Sequence, residues 1–427
     1  MRVLVVGSGA REHALAARLG ADPTVTELIC APGNPGMARV ARLAALDVAR
    51  PDAIVALASR ERVDLTVIGP ELPLSLGVVD QMTAAGHLVF GPTASAARLE
   101  SSKAFAKSFM ARHEVPSAAF RICETAEDAE ACVRSGELGV PVVIKADGLA
   151  AGKGVVIAGD RAEAEAAISA AMRHQQFGAA GSRVVIEECL TGPEVSFFVI
   201  ADGRRALPFA TAQDHKRIFD DDKGPNTGGM GAFAPSPLVD LALHERIMRE
   251  IVNPVIDGMA AEGSPFAGVL YVGLMLTASG PKVIEFNVRF GDPEAQVILP
   301  LLDEPLAPLL AASARGALTQ SSCRTSSDRT VGVVMASRGY PASAESGRTI
   351  EGLDAADRLP GVTVLHAGTA GADRRIVTAG GRVLTVVGRG PSFADAIERA
   401  YAGVSEISFD GMQYRRDIGR KALLLTA

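Results

Sequence analysis

The chain has 427 residues, 48% hydrophobic and 22% charged, which is typical of a globular protein with about two to four domains. Its net charge of −6 argues against general binding to nucleic acids or membrane surfaces, because both need a basic face. The five cysteines are scattered without a CxxC pair, so we expect reduced thiols in a cytoplasmic protein and neither a disulfide framework nor structural zinc.

The first hundred residues alternate short apolar runs with helical patterns, which predicts a parallel α/β sheet. The predicted strands are Val3–Val6, Leu28–Ala31, Leu65–Ile68 and Leu88–Phe90, and the predicted helices are Arg11–Leu19, Asp52–Arg60 and Leu76–Ala85. Each strand ends in a loop rich in glycine or proline. Ligands of such sheets lie beyond the carboxyl ends of the strands, so we expect these loops to line one side of a site.

The rest of the chain mixes strands and helices. The predicted elements are a helix over Ser101–His113, strands Val140–Ala146 and Val184–Glu188 with a polar helix Arg161–His174 between them, a helix over Leu241–Ala261, a hairpin of Leu270–Thr277 and Lys282–Phe286, strands Val331–Ala336, Val362–Leu365 and Arg382–Val387, and a helix over Phe393–Ile407. The polar run Gln320–Arg329 indicates a linker. Gly380-Gly381 predicts a hairpin turn.

A first motif that carries chemistry runs from a strand into a glycine-rich loop, Val142–Val155. Lys145 lies on the strand, and Gly148, Gly152, Lys153 and Gly154 follow it. Glycines let the backbone approach phosphate oxygens, and lysines neutralise their charge. The spacing is neither a Walker A motif nor a dinucleotide fingerprint. The motif therefore indicates a phosphate-binding loop, with a mobile surface turn as the alternative.

A second motif, Lys282–Glu294, contains Glu285, Asn287 and Arg289 at alternate positions. Alternate residues of a strand share a face, so these three side chains are predicted to point the same way. Carboxylate and amide oxygens suit Mg²⁺, and an arginine beside them can meet a phosphoryl group in transfer. The alternative is a solvated strand face with a surface ion pair.

Two further segments are less specific. Asp214–Arg217 with Gly224–Gly231 suits a small zwitterion or a closing lid, whereas the acidic run Asp220–Asp222 is predicted to be a disordered turn. Near the N-terminus, Gly7 and Gly9 begin like a dinucleotide fingerprint, but Glu12 replaces its third glycine. A phosphate or ribose at the start of the following helix remains compatible with that loop.

Together these motifs resemble the phosphoribosylamine–glycine ligase (glycinamide ribonucleotide synthetase) family of the ATP-grasp superfamily. The matching segments, in order along nearly the whole chain, are Val5–Leu15, Ala31–Asn34, Ile68–Glu71, Lys145–Gly154, Gln213–Arg217, Gly224–Gly231, Glu285–Glu294, His366–Thr369 and Gly380–Leu384. The Gly224 and Glu285 segments together are highly specific for the family.

The resemblance implies a reaction and an architecture. ATP would phosphorylate the carboxylate of glycine, and the amine of 5-phosphoribosylamine would then attack the glycyl phosphate. The products would be glycinamide ribonucleotide, ADP and phosphate. The implied domains are an N-terminal substrate-binding α/β domain (1–101), an ATP-grasp region (102–324) with a mobile small lobe at about 118–190, and a C-terminal α/β domain (325–427). We also expect small-molecule substrates only, in a monomer or weak dimer.

The resemblance further assigns roles to individual residues. The ATP-binding residues would be Lys103, Lys145, Gly148, Gly152, Lys153, Gly154, the adenine-reading hinge Glu187, Glu188, Cys189 and Leu190, and the ribose contact Glu194. The metal ligands for Mg²⁺ (or Mn²⁺) would be Glu285 and Asn287. The catalytic residues would be Arg289, Asp292, Lys216 and Asp214. The substrate contacts would be Gly9, Arg11, Glu71, Asn226, Thr227, Gly228, Gly229 and Arg382.

Two departures from related patterns accompany these assignments. Many ATP-grasp enzymes place another carboxylate ligand on the preceding strand, but Leu270–Thr277 carries none. Val288 stands where the family often has cysteine, and the strand pattern predicts that it points away from Glu285. The alternatives are another ATP-grasp ligase such as a biotin carboxylase, a dehydrogenase using the Gly7 loop, and a nucleotide-binding module without activity.

Overall fold

The computed structural model describes residues 1–149 and 154–426. Its N-terminal elements are β1 (Arg2–Gly7), α1 (Ala10–Gly20), β2 (Glu27–Pro32), β3 (Arg42–Leu43), α2 (Pro51–Glu61), β4 (Leu65–Ile68), α3 (Glu71–Ser75), α4 (Val78–Ala84) and β5 (Val89–Phe90). The strands form a parallel sheet in the order β3-β2-β1-β4-β5. Buried valines and leucines fill β1 on both faces, as helices on both sides of a parallel sheet require. The parallel α/β prediction is confirmed.

A second group of elements forms a small antiparallel layer. Its members are α5 (Ala94–Ser101), α6 (Lys103–Arg112), β6 (Phe120–Cys123), α7 (Ala126–Ser135), β7 (Val142–Ala146), β8 (Val155–Ala158), α8 (Arg161–Ile168) and β9 (Val184–Glu188). The four strands pair in the order β6-β9-β7-β8. The helix predicted over Ser101–His113 is α6, which begins two residues later, and a further helix, α5, ends at Ser101 just before it. The side chain of Ser102 accepts a hydrogen bond from Phe105 N, which caps α6.

The remaining elements build the largest sheet. They are β10 (Glu194–Asp202), β11 (Ala206–Asp214), β12 (Arg217–Phe219), β13 (Lys223–Asn226), β14 (Gly231–Ala234), α9 (Leu241–Ile247), α10 (Asn253–Ala261), β15 (Ala267–Thr277), β16 (Gly280–Asn287), α11 (Ala295–Ile298), α12 (Leu306–Ala314), β17 (Arg329–Ala336), α13 (Leu353–Asp357), β18 (Val362–His366), β19 (Thr369–Ala372), β20 (Arg375–Thr378), β21 (Arg382–Gly390), α14 (Phe393–Glu406) and α15 (Arg420–Thr426). Eight of the strands pair in the order β16-β15-β10-β11-β14-β17-β21-β18.

This eight-stranded sheet runs across the linker predicted at Gln320–Arg329. β14 precedes the linker and pairs antiparallel with β17, which begins at its end. A hydrophobic core cluster also joins residues of α1, α11, α12 and β18. The central and C-terminal parts of the chain therefore share one continuous sheet. The N-terminal sheet packs against the same hydrophobic core.

The prediction of a hairpin turn at Gly380-Gly381 is wrong. β20 and β21 flank these glycines but do not pair with each other. β20 pairs with β19, and β21 pairs with β17 and β18. Gly380 instead packs closely on Gly368, whose N–H donates to Arg382 O. Gly368 and Gly380 lack side chains, so the two chain segments that carry them can pack backbone against backbone.

Within the described part of the chain, every helix is too short or too polar to span a membrane.

Candidate active site

The end of β16 presents Glu285, Asn287 and Arg289 on one side. Arg289 Nη2 lies 3.3 Å from Asn287 Oδ1, whereas Val288 is buried in a hydrophobic core. β16 pairs with β15 with a register shift between Gly273 and Leu274, so Glu285 lies opposite Gly273. The predicted alternation therefore holds at the residues that carry the chemistry, and Val288 points away from them.

Arg289 is held by acidic groups from two other parts of the chain. Its Nη2 lies 2.9 Å from Glu100 Oε1, and its Nε lies 3.5 Å from Glu71 Oε2. Burial acts to lower the pKa of Arg289, but Glu100 and Glu71 outweigh it, and the guanidinium stays charged. Nε has no hydrogen-bond partner among the described residues. A buried donor without a partner is an available group for an anion.

Glu100 was not predicted from the sequence. It lies near the end of α5, its side chain is 8% exposed, and its Oε2 accepts a hydrogen bond from Val288 N at 2.8 Å. Burial raises its pKa, Arg289 opposes that rise, and Glu71 adds to it. No motif surrounds Glu100, so only the fold reveals that it anchors Arg289.

Lys145 belongs to a buried triad with one carboxylate between two lysines. Its Nζ lies 2.9 Å from Glu187 Oε1, and Lys107 Nζ lies 2.9 Å from Glu187 Oε2. Lys145 Nζ also donates to Ile284 O, next to Glu285. Burial lowers the pKa of Lys107 to about 8, against the raising effect of Glu187. Lys107 was missed because nothing in its local sequence marks it.

Lys103 and Gly148 lie together at the start of the glycine-rich loop. Lys103 Nζ donates to Gly148 O at 2.9 Å. Gly148 has φ +148°, and a Cβ on it would clash with Ala180, so a side chain is excluded there. Gly154 O accepts from Ala146 N at 2.8 Å. Gly152 and Lys153 lie outside the described residues.

The predicted adenine hinge, Glu187–Leu190, covers the last two residues of β9 and the two residues after it. Glu188 Oε1 accepts from Ala119 N and lies 3.2 Å from Lys282 Nζ, while Cys189 and Leu190 are half-buried. Glu194 begins β10, and its Oε2 lies 2.6 Å from Lys216 Nζ. Glu194 therefore links the hinge side of the site to the segment that carries Lys216.

Asp214 and Lys216 lie beside Glu285 in a cluster of carboxylates. Burial raises the pKa of Asp214 to about 7, Lys216 opposes the rise, and Glu294 and Glu194 add to it. Burial would lower the pKa of Lys216, but the surrounding carboxylates raise it well above its ordinary value. In this cluster Lys216 therefore stays protonated, whereas the pKa of Asp214 lies near neutral pH.

The turn at Gly228 and Gly229 lies against Asp292 through Arg382. Arg382 Nη1 donates to Gly228 O at 2.6 Å and to Asp292 O at 2.9 Å, and its Nη2 lies 3.1 Å from Asp292 Oδ2. A Cβ on Gly229, which has φ +108°, would clash with Pro293. Arg382 therefore pairs with Asp292, whereas the family resemblance implied a substrate contact.

Asn226 and Thr227 precede this turn. Asn226 pairs with Arg217 across β12 and β13, and Thr227 N donates to Lys216 O at 2.8 Å. Gly229 N donates to Thr227 Oγ1 at 3.0 Å. The backbone around Lys216 and the backbone of the glycine turn are thus held to each other.

The N-terminal loop reaches the same place. Arg11 Nη1 lies 3.8 Å from Glu71 Oε2 and donates to Phe290 O. Gly9 N donates to Glu12 Oε2 at 2.7 Å, and Arg11 Nε lies 2.5 Å from Glu12 Oε1. Glu12, which spoils the dinucleotide fingerprint, therefore shapes this loop by capping Gly9 and holding Arg11.

The donor set fits a divalent ion shared with a nucleotide. Burial alone would raise the pKa of Glu285, but positive charges outweigh it and lower the pKa, so the carboxylate is ionised. The cations responsible are Lys216, Lys145, Lys103 and Arg289. No group of three or more His, Cys, Asp or Glu side chains within 1–149 and 154–426 is arranged as a metal site. Mg²⁺ typically takes one or two protein ligands plus phosphates and waters, and Glu285 with Asn287 matches that pattern.

Comparison with known proteins gives the same picture over the whole chain. Family models of phosphoribosylglycinamide synthetase match the N domain over residues 1–100, the ATP-grasp (A) domain over 101–295 and the C domain over 330–421. Phosphoribosylamine–glycine ligase of Xanthomonas axonopodis pv. citri is 51% identical over 427 residues, covering 99% of this chain and 98% of the relative. The Mesorhizobium japonicum enzyme of the same name is 48% identical over 423 residues, covering 99% of each chain.

Solved structures agree. The crystal structure of phosphoribosylamine–glycine ligase from Thermotoga maritima superposes with a TM-score of 0.84 at 32% identity, covering 98% of this chain and 100% of that one. Biotin carboxylase from Campylobacter jejuni superposes with a TM-score of 0.75 at 16% identity, covering 100% of this chain and 95% of that one. The second likeness shows a shared fold alone.

Proposed function

The chain belongs to the phosphoribosylglycinamide synthetase family, and we propose that it joins glycine to 5-phosphoribosylamine at the cluster around Arg289. It is an ATP-dependent carbon–nitrogen ligase of purine biosynthesis. One observation carries the placement: Arg289 contacts Glu71, the first residue of α3 after the N-terminal strand β4, and Asn287 from β16. At this seam a substrate on one sheet can meet a phosphoryl group on the other.

The proposed chemistry has two steps. A glycine carboxylate oxygen attacks the γ-phosphorus of ATP, and ADP leaves. The amine of phosphoribosylamine then attacks the carbonyl carbon of glycyl phosphate, the carbon–oxygen bond to phosphate breaks, and the amine loses a proton. Arg289, whose Nε makes an ion pair with Glu71 but no hydrogen bond among the described residues, would stabilise the phosphoryl group during transfer.

We propose separate roles for the groups that would bind MgATP. Lys145 and Lys103 would contact the phosphates, with Gly148 and Gly154 allowing close approach of the backbone. Glu285 and Asn287 would hold a divalent ion, which we propose to be Mg²⁺ and which supplies charge neutralisation at the phosphates. The hinge Glu187–Leu190 would read adenine through its backbone. We propose that the lobe at about 118–190 closes over ATP and excludes water from the acyl phosphate.

The two remaining substrates would meet at the glycine turn. Asp214 and Lys216 would bind the ammonium and carboxylate of glycine, with Asn226, Thr227, Gly228 and Gly229 supplying backbone and amide contacts. Asp292 would orient the attacking amine. Gly9, Arg11 and Glu71 would hold phosphoribosylamine, with Arg382 acting through Asp292.

We also propose a monomer or weak dimer in the cytoplasm. The five cysteines are free thiols, as expected in a reducing compartment.

The alternatives raised by the sequence are not favoured. The N, A and C domains of one family match in order, and full-length relatives carry the glycine-ligase name.

Glycine use should depend on pH through Asp214. Its pKa is raised to about 7, so the carboxyl is protonated below that pH and ionised above it. Only the ionised form attracts the glycine ammonium, so kcat/KM for glycine should rise through pH 7 and then level. Asp214→Asn should lower kcat/KM and remove this inflection. A wild-type profile that is flat across neutrality would contradict the role of Asp214.

The substrate assignment is tested by ADP release with one substrate omitted at a time. The purified protein receives MgATP with glycine and freshly made phosphoribosylamine, and matched reactions lack one of the three. ADP should form at full rate only in the complete mixture, together with glycinamide ribonucleotide detected by mass. ADP at the same rate without glycine, or without the amine, would refute the assignment.

A further inference from the structure

The acidic run Asp220–Asp222, predicted to be disordered, is an ordered turn between β12 and β13. The two strands pair only with each other, and nine of the ten residues over 217–226 are half-buried or exposed. An isolated two-stranded ribbon is marginally stable in water. The order of this ribbon therefore needs contacts outside its own pairing.

Those contacts come from the C-terminal segment 415–421, which we name the C-terminal clamp. Arg415 has a fully buried side chain, and its Nη1 donates to Asp222 Oδ1 at 2.9 Å and to Arg217 O at 3.1 Å. Arg415 Nη2 also lies 2.6 Å from Asp417 Oδ2. One guanidinium thus ties β12 and the turn of the ribbon to the clamp.

Three more bonds fasten the tip of the ribbon. Asp221 N donates to Asp417 Oδ2 at 3.0 Å, and Arg416 N donates to Asp220 Oδ1 at 2.7 Å. Lys421 Nζ lies 2.6 Å from Asp222 Oδ2. Burial would raise the pKa of Asp222, but hydrogen bonds from Lys421 and Arg415 lower it, so this carboxylate stays ionised.

The base of the same ribbon is the site itself. Lys216 immediately precedes β12, and Asn226 ends β13. Thr227 N and Oγ1 both donate to Lys216 O, at 2.8 and 2.9 Å. The tip that the clamp holds and the groups proposed to bind glycine therefore lie at opposite ends of the same two short strands.

We propose that Arg415 is a positioning residue for the glycine subsite, which it orders through Asp222 and the β12–β13 ribbon without touching a substrate. The inference rests on the proposed binding of glycine at Asp214, Lys216 and the Gly228-Gly229 turn. It gives the C-terminal clamp a part in the reaction, and it predicts that damage to the clamp weakens the use of glycine selectively.

The chain offers a matched pair of substitutions as a test. Asp222→Asn removes the carboxylate that faces Arg415 and Lys421. Asp221→Asn makes the same charge change one residue away, where the side chain is 72% exposed and pairs with Lys223 at 3.5 Å. Both residues have positive φ, which asparagine tolerates well, so backbone strain is equal in the two variants.

Asp222→Asn should raise KM for glycine about three- to tenfold, since it weakens charge-assisted hydrogen bonds. KM for ATP should stay within about twofold, and Asp221→Asn should match wild type in both. Hydrogen–deuterium exchange over 217–226 should rise only in Asp222→Asn. Arg415→Met should raise KM for glycine more than Asp222→Asn does, and Arg415→Lys should raise it less than Arg415→Met. If Arg415→Met does not fold, Asp222→Asn remains the deciding variant.

A wild-type KM for glycine in Asp222→Asn, or an equal rise in KM for ATP, would overturn the proposal. So would a raised KM for glycine without faster exchange in the ribbon, because the effect would not then run through its order. If the wild-type protein itself showed no glycine-dependent ADP release, the glycine assignment would fall, while the exchange measurement would still report on the clamp.

Discussion

The Glu285→Gln variant should lose at least about a thousandfold in kcat while keeping its fold, because a metal and phosphate site loses its central negative charge. Glutamine has nearly the same size, so the strand pairing of Glu285 with Gly273 is retained. The lysines around position 285 would then lose one shared counter-charge, although Glu187 still pairs with Lys145 and Glu194 still pairs with Lys216. We therefore expect MgATP binding to weaken together with turnover.

The measurement is steady-state ADP release alongside a thermal unfolding curve. Glu250→Gln is the matched control, because Glu250 lies on the surface beside Arg246, away from the cluster. The control should retain wild-type kcat, and both variants should unfold within a few degrees of wild type. Full activity in Glu285→Gln would remove this residue from the proposed metal site.

The Arg289→Ala variant should lower kcat by about a thousandfold and change KM for ATP by much less, because the arginine acts on charge that develops in the transition state. We propose its Nε for that role, because this atom makes no hydrogen bond within the described residues. Equal losses in kcat and in ATP affinity would show instead that Arg289 binds the ground state.

Glu100→Gln extends the same test to a residue without a motif. Glu100 bonds both Arg289 Nη2 and Val288 N, so the variant keeps the shape of the pocket and loses the charge that fixes the guanidinium. We expect kcat to fall about ten- to a hundredfold, less than in Arg289→Ala. In the double variant the two losses should not add, because both act through one group.

Much of the fold followed from patterns within short stretches of sequence. β1, β2 and β4 lie within one or two residues of their predicted bounds, because a buried parallel strand reads as an apolar run ended by glycine or proline. β10 and β11 were missed, although they lie at the centre of the largest sheet. The two strands pair with each other as a hairpin across residues 203–205, so a local pattern was present, whereas the pairing of β10 with β15 joins distant parts of the chain.

The residues of the site likewise fall into those that the sequence predicted and those that only the fold reveals. Glu285, Asn287, Arg289 and Lys145 lie in motifs, and the structure places them around one centre. Glu100 lies 189 positions from its partner Arg289, so only the tertiary fold could reveal the contact.

The acidic turn was misjudged for a related reason. Its carboxylates have no nearby basic residues in the sequence that would pair with them as Arg415 and Lys421 do, because these two partners are almost two hundred residues away. Charge runs can be interpreted from sequence only when the opposing charges are close in the chain.

The most direct test of the acyl phosphate account uses glycine labelled with ¹⁸O in both carboxylate oxygens. In a complete reaction run in ordinary water, the account predicts phosphate carrying one ¹⁸O and glycinamide ribonucleotide carrying one ¹⁸O in its carbonyl group. Phosphate without label would show that the carboxylate never attacks the γ-phosphorus, and it would contradict the proposed glycyl phosphate intermediate.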